Sequence, residues 1–348
     1  MFGGVLNNDG VWVRLLLLVV SFLFVIACSD DCKREMPKLT GNYLGYSVSA
    51  DSAEIFAPGI INRGLRTRDV AITPDLNEIY FSVIAAGNNY PVIVCVKRVD
   101  GVWSEPQVPE FAKNLRHKYI EPAISHDGKK FFFVSNMGNG GNTSNDMDIY
   151  VMNRIDDHWG EPKNIGAPIN SELGEFFPSI TNDGTLYFSR DLPDRTSKVY
   201  RSRLIDGVYE EPIQLGPAVN AGRSTFNAYI ARDESYIITP TFGMEDSFGA
   251  TDYYISFRSE DDTWRGPYNM GPKVNSASGQ EWSAYVSPDN KYLFYMSDKL
   301  SGEIGEGYEN ATFTDLINIH NQPGNGLSNI YWIKADVIEE LRDSLSRL

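Results

Sequence analysis

The feature that most restricts what this chain can become is a spacing. Asp75, Asp127, Asp183, Asp233 and Asp289 stand 52, 56, 50 and 56 residues apart, each inside the same phrase. The copies read AITPDLNEIYFSV from Ala71, AISHDGKKFFFVS from Ala123, SITNDGTLYFSR from Ser179, YIARDESYIITPT from Tyr229 and YVSPDNKYLFYMS from Tyr285. A hydrophobic residue leads, Asp and a turn follow, and an aromatic-rich strand comes next. Such a period in a 348-residue chain means stacked supersecondary units, each needing its neighbours to bury its apolar faces.

Each copy continues in the same order. A second strand-like run follows, as in Asp148-Ile149-Tyr150-Val151 and Asn329-Ile330-Tyr331-Trp332. Then an aromatic residue stands three before a proline: Trp103 and Pro106, Trp159 and Pro162, Tyr209 and Pro212, Trp264 and Pro267. A linker closes the unit, GAPINS from Gly166, GPAVNA from Gly216 and GPKVNS from Gly271. Four strands per unit of about fifty residues is the pattern of a propeller blade, so the expected fold is all-β, a five-bladed β-propeller of four-stranded blades. The 19 Tyr, 18 Phe, 30 Gly and 18 Pro suit short strands joined by tight turns. The fifth copy ends after its third strand, at Ile333, and turns into a short helix expected over Val337 to Leu345. An orphan stretch, Phe56 to Asn62, precedes the first copy and reads as a repeat's final strand and linker, so that it supplies the missing fourth strand of blade five. Such closure leaves no open sheet edge and makes residues 51–348 one domain.

The phrase resembles the WD40-like repeat called PD40, whose core is S-P-D-G, a strand, then D-I-Y. Ser287-Pro288-Asp289 and Asp148-Ile149-Tyr150 match it closely, and Ser125-His126-Asp127-Gly128 and Asn182-Asp183-Gly184 in part. The fourth copy, Ala231-Arg232-Asp233-Glu234, departs most, and the G-H and W-D signatures of true WD40 repeats are missing. The same repeat forms the propeller of TolB and accompanies OmpA-like domains, so the resemblance implies a binding or scaffolding role in a bacterial envelope. The repeated Asp itself reads as a turn cap.

The N-terminus reads as an address. Arg14 precedes a run of about twelve apolar residues, Leu15 to Ile26, short for a membrane span and suited to a signal peptide. Val25-Ile26-Ala27-Cys28 resembles a lipobox, which makes residues 1–27 the signal peptide, Cys28 the acylated first residue and residues 28–50 a tether. An ordinary signal peptide or short signal anchor is the other reading. Ser29, Asp30 and Asp31 look like a surface-export signal, so the expected place is the outer membrane, at the cell surface or on its periplasmic face. The formal charge of −15 argues against nucleic acid as a partner and leaves the lipid as the only membrane contact.

Chemistry is sparser. Six residues before the repeated Asp stand Asp69, Glu121, Phe177, Asn227 and Ser283; eight before it stand Thr67, Tyr119, Glu175, Thr225 and Glu281. Asp69, Glu121, Glu175 and Glu281 are therefore candidates for a carboxylate cluster at one channel entrance. It could bind a ligand or serve as the acid and base of a glycan-active hydrolase or lyase, with a solvated acidic rim as the plain alternative. Cys32 and Cys95 form no metal or redox spacing, and Cys95 reads as a buried thiol. The histidines are scattered, Asp146-Met147-Asp148 lacks the rest of a calcium loop, and nucleophile-elbow, zincin, phosphate-loop and dinucleotide motifs are missing, so neither cofactor nor metal is expected. A long insertion in the fifth copy, Asp298 to Ser328, carries Glu303, Glu306, Glu309, Asp315 and His320 around a helical piece expected over Phe313 to Ile319. Loops of that length are functional or disordered. The sequence thus favours a non-enzymatic envelope lipoprotein that binds a protein or glycan at the channel mouth or at this loop.

Overall fold

A computed structural model describes residues 37–48, 51–138, 142–301 and 309–347. The signal peptide, Cys28, Cys32, Glu303 and Glu306 lie outside the described residues. The packed unit that carries the repeats runs from Leu39 to Leu348.

Five four-stranded antiparallel sheets follow one another along the chain, one for each copy of the phrase. Blade one is built from Arg66–Ile72, Glu78–Ala85, Tyr90–Val99 and Val102–Trp103. Blade two uses Tyr119–Ile124, Lys130–Met137, Thr143–Ile155 and Lys163–Asn164, and blade three Glu175–Ile180, Leu186–Asp191, Ser197–Ser202 and Ile213–Gln214. In blade four the inner strand is split into Ser224–Thr225 and Tyr229–Ile230, followed by Tyr236–Phe242, Thr251–Arg258 and Trp264–Asn269. Blade five takes Glu281–Val286, Tyr292–Ser297 and Asn329–Lys334 from the C-terminal side and Glu54–Ile55 from the N-terminal side.

Each repeated Asp caps the turn between a blade's first and second strands. Asp75, Asp127, Asp183, Asp233 and Asp289 accept the backbone N–H two residues on at 3.0–3.3 Å. A hydroxyl two residues before the Asp, from Thr73, Ser125, Thr181 or Ser287, adds a second bond. Blade four has Ala231 there, and Ser235 on the other side supplies the hydroxyl instead. Burial works against these charges, but the donors outweigh it and hold all five carboxyls below the usual range.

Second strands are covered on both faces by neighbouring blades, which is why they read as unbroken apolar runs rather than alternating ones. Phe131, Phe132, Phe133 and Val134 are all buried. Phe131 lies 4.8 Å from Tyr80 of blade one and 5.2 Å from Trp159, the aromatic before the proline. Such ring pairs add roughly 0.5–1.5 kcal/mol each beyond the area they bury. The C-terminal helix spans Asp336–Ser346 and buries Val337 and Ile338 against blades four and five.

The ring closes as the sequence suggests, with a shifted boundary. Glu54 and Ile55 pair with Trp332 and Tyr331, and the Phe56 N–H donates to Ile330 O at 2.9 Å. The strand thus lies just before the expected stretch, and beyond Phe56 the chain is the expected linker. Asn62 accepts from Ile330 N at 3.0 Å and donates back to Ile330 O at 3.3 Å. Asn170, Asn220 and Asn275 grip the third strands of their own blades in the same way. Residues 39–48, expected as part of the tether, also have packed partners. Tyr43 and Leu44 are buried, Tyr43 Oη donates to Asp289 at 2.6 Å, and Trp103 Nε1 donates to Gly41 O at 2.7 Å.

Candidate ligand site at the channel mouth

The inner strands carry a shared irregularity. Each pairs with its second strand in two registers, broken at Arg68/Val70, Ile120/Ala123, Phe176/Ser179 and Glu281/Ala284, and in blade four the strand itself is interrupted. Asp69, Glu121, Phe177 and Asn227, six before the repeated Asp, take left-handed backbone angles with φ of 54°, 58°, 50° and 47°. These are β-bulges, which bend the strand and re-aim its side chains.

At the bulges the blades are tied into a ring. Glu121 N donates to Ser82 Oγ of blade one at 3.1 Å, and Glu121 Oε2 accepts from Phe177 N of blade three at 2.7 Å. Asn227 N donates to Ser189 Oγ at 2.7 Å, and Ser283 N to Tyr253 Oη at 2.9 Å. Ser283 Oγ then donates to Asp69 of blade one, completing the circuit. Arg68 sits across it. Its Nε donates to Asp69 and its Nη2 to Glu121, both at 2.8 Å, and its guanidinium lies 5.7 Å from the Trp282 ring.

Asp69 and Glu121 therefore converge as their positions suggest, but as two buried carboxylates sharing one buried cation. Each is 2 % exposed. Burial drives the Glu121 carboxyl up despite Arg68, to about 7, with the Asp69 charge adding to the rise. Glu175 and Glu281 make their bonds elsewhere. Glu175 is held inside blade three by Arg190 Nε at 2.7 Å and by Ser171 Oγ at 2.6 Å. In blade five Ser297 stands across from Glu281 where Arg190 faces Glu175, so Glu281 Oε1 accepts only from Ser276 Oγ and Ser297 Oγ, at 3.0 and 3.1 Å. Its Oε2 is buried with no hydrogen-bond partner among the described residues, and burial, reinforced by Asp252 and Asp298, pushes the Glu281 carboxyl up to about 8.

The residues that open onto the axis stand seven before the repeated Asp, a position between the two the acids pointed to. Arg68, Ile120, Phe176, Phe226 and Trp282, one per blade, all line a cleft of 620 Å³. That volume is within the range of small-molecule sites. Phe176, Phe226 and Trp282 are half-buried, and Glu121 and Asn227 reach the cleft floor. The wall is completed by second-to-third-strand hairpins, including Asp191 and Arg195 of blade three and Phe242 of blade four.

Antiparallel pairing puts every second-to-third-strand connection at this same end, so the long blade-five insertion belongs to the mouth side too. Its helix spans Phe313–Asn321, begins with a Thr312–Asp315 capping box, and exposes Phe313, Leu316 and Ile317. The helix end packs so closely on the chain entering blade one that a Cβ on Gly64 would lie 2.6 Å from Asn321 Cα. His320 and Glu309 are exposed in this insertion and do not line the axial cleft. Among the described residues no group of three or more His, Cys, Asp or Glu is arranged to hold a metal ion. Nor is any described helix long and apolar enough to cross a membrane.

No protein-family model matches the chain, and no curated protein matches it. Solved structures of similar fold include TolB from Acinetobacter baumannii, at 12% identity and a TM-score of 0.42 over 78% of this chain and 54% of that one. This chain thus spans about half the length of that protein. A putative TolB from Agrobacterium tumefaciens matches at 12% identity and a TM-score of 0.45, over 78% of this chain and 90% of that one. An exo-beta-1,3-galactanase from Clostridium thermocellum matches at 13% identity and a TM-score of 0.46, over 79% and 62%. At such identities and TM-scores these likenesses carry nothing about function; the chain's own five sheets make it an all-β five-bladed propeller, with TolB-type propellers among its structural neighbours.

Proposed function

We propose that this protein is a non-enzymatic binding module of the PD40 repeat kind, tethered to the outer membrane through acylated Cys28 and taking a protein or glycan partner at its channel mouth. The observation that carries the reading is the axial cleft, to which every blade contributes the residue seven before its Asp. Ligands favour concave, partly apolar sites with a few fixed polar groups. The blade-five helix, with its exposed Phe313, Leu316 and Ile317, stands at the same end and offers a protein partner a second contact.

The rival reading, a surface glycan-active hydrolase or lyase, is favoured by one observation. Glu121 borders the cleft with its carboxyl held near neutrality, where a general acid works. Against it, Asp69 does not line the cleft, and the Arg68 guanidinium already occupies both acids. An acid and base pair in a glycosidase must both face the sugar, separated by roughly 5–10 Å. The test is an envelope-protein pulldown and a glycan screen, with reducing-end release followed on each glycan. A captured partner without new reducing ends agrees with the module. Turnover that disappears in Glu121→Gln overturns it in favour of the enzyme.

A further inference from the structure

Resting on that reading of the mouth, we propose that its occupant is an uncharged saccharide, one ring face laid on Phe176, Phe226 and Trp282 and its hydroxyls turned toward Arg68 and Gln280. The first argument is placement. Three successive blades put an aromatic side chain at one strand position, and the other two put Arg68 and Ile120 there. The mouth is therefore two-sided: an aromatic crescent from blades three to five, and a remainder in which Arg68 and Gln280 supply polar groups beside the apolar Ile120. A pyranose is two-sided in the same way, with an apolar face of C–H groups and a rim of hydroxyls.

The aromatics are also free to stack. Packed side chains deeper in the blades are nearly or wholly buried, whereas Phe176, Phe226 and Trp282 keep part of each ring open. Trp and Phe supply rigid contact area at low entropic cost. The polar edge has capacity left: the Gln280 carboxamide makes no side-chain hydrogen bond among the described residues, although it lines the cleft.

Charge selects the uncharged class. The ionisable side chains at the cleft are Arg68, Glu121, Asp191 and Arg195, two cations against two anions. Arg68 is already matched by Asp69 and Glu121, and Asp191 accepts from Ser197 Oγ at 2.6 Å. Among the described side chains of the cleft, Arg195 is then the cation without a side-chain partner, on a chain whose formal charge of −15 repels anions at a distance. An acidic glycan would meet that repulsion with one exposed arginine to offset it.

The test applies the full chain, in detergent, to an array of neutral and acidic oligosaccharides, and measures affinities by titration calorimetry. Neutral oligosaccharides are expected to bind, with affinity lowered about tenfold or more in Trp282→Ala and Phe226→Ala and largely restored in Trp282→Phe. Thermal melts of the same variants show whether the fold survives. Binding confined to acidic saccharides, or to none, overturns the proposal. Capture of an envelope protein that depends on Trp282 and Phe226, without saccharide binding, sinks the saccharide but keeps the mouth. Capture that ignores both substitutions sinks the mouth reading as well.

Discussion

The blade centres are decided by single side chains whose roles differ from their types. Asp69 and Glu121 look like catalytic acids in sequence, yet they share the guanidinium of Arg68 and tie four blades together. Removing the cation leaves two buried carboxylates without it, so Arg68→Met is expected to cost roughly 3–5 kcal/mol, read from urea unfolding. A cost below about 1 kcal/mol would mean that the three groups are solvated. Glu281 gives a pH test. Its folded carboxyl titrates near 8, well above the ordinary carboxylate range, so between these values the folded state holds a proton that the unfolded state has lost. Stability from this group is present at low pH and declines as pH rises toward 8. Glu281→Gln, permanently neutral, should melt close to wild type near pH 5 and above it near pH 8; parallel curves would contradict the assignment. Position picked out four acids, of which Asp69 and Glu121 meet at Arg68 while Glu175 and Glu281 bond within their own blades. The axial residues at seven were not legible, because a left-handed residue at a bulge breaks the strict alternation of a strand, and no glycine stands at Asp69, Glu121 or Phe177 to announce it.

Among the elements, the closing strand was legible because blade five lacked a fourth strand, but its boundary was misplaced. Phe56 to Asn62 looked strand-like, while the paired residues are Glu54 and Ile55. The linker part of the stretch was legible, because Ile61-Asn62 repeats Ile169-Asn170, Val219-Asn220 and Val274-Asn275. Asn62 satisfies the backbone of both Phe56 and Ile330, donating to Phe56 O at 2.6 Å. Asn62→Ala would leave these buried groups unpaired, with an expected loss of roughly 2 kcal/mol or more in unfolding free energy. The same change at Asn220, which grips Val199 and Leu215 of blade three, should cost a similar amount. The two should differ in hydrogen exchange: Asn62→Ala loosens the Asn329–Lys334 strand, where the termini meet, whereas protection elsewhere is kept. Uniform loss of protection would show that closure is not a separable element.

For the whole molecule, the period of about fifty residues made the five blades legible, and the strand order put the long blade-five insertion at the end where the axial cleft opens. The two surfaces that the sequence offered as separate candidates thus share one face. The sequence did not reveal that face's aromatic crescent, because Phe176, Phe226 and Trp282 are far apart in the chain and unremarkable in a protein with 18 Phe and 6 Trp. The central claim is that this face, and not the outer rim, meets the ligand. The measurement that tests it most directly is site-specific photo-crosslinking in envelope preparations, with a benzophenone side chain placed at Phe226 on the mouth or at Val208, exposed on the hairpin of blade three. The account predicts an adduct from position 226 and none from position 208; an adduct from 208 alone would contradict it.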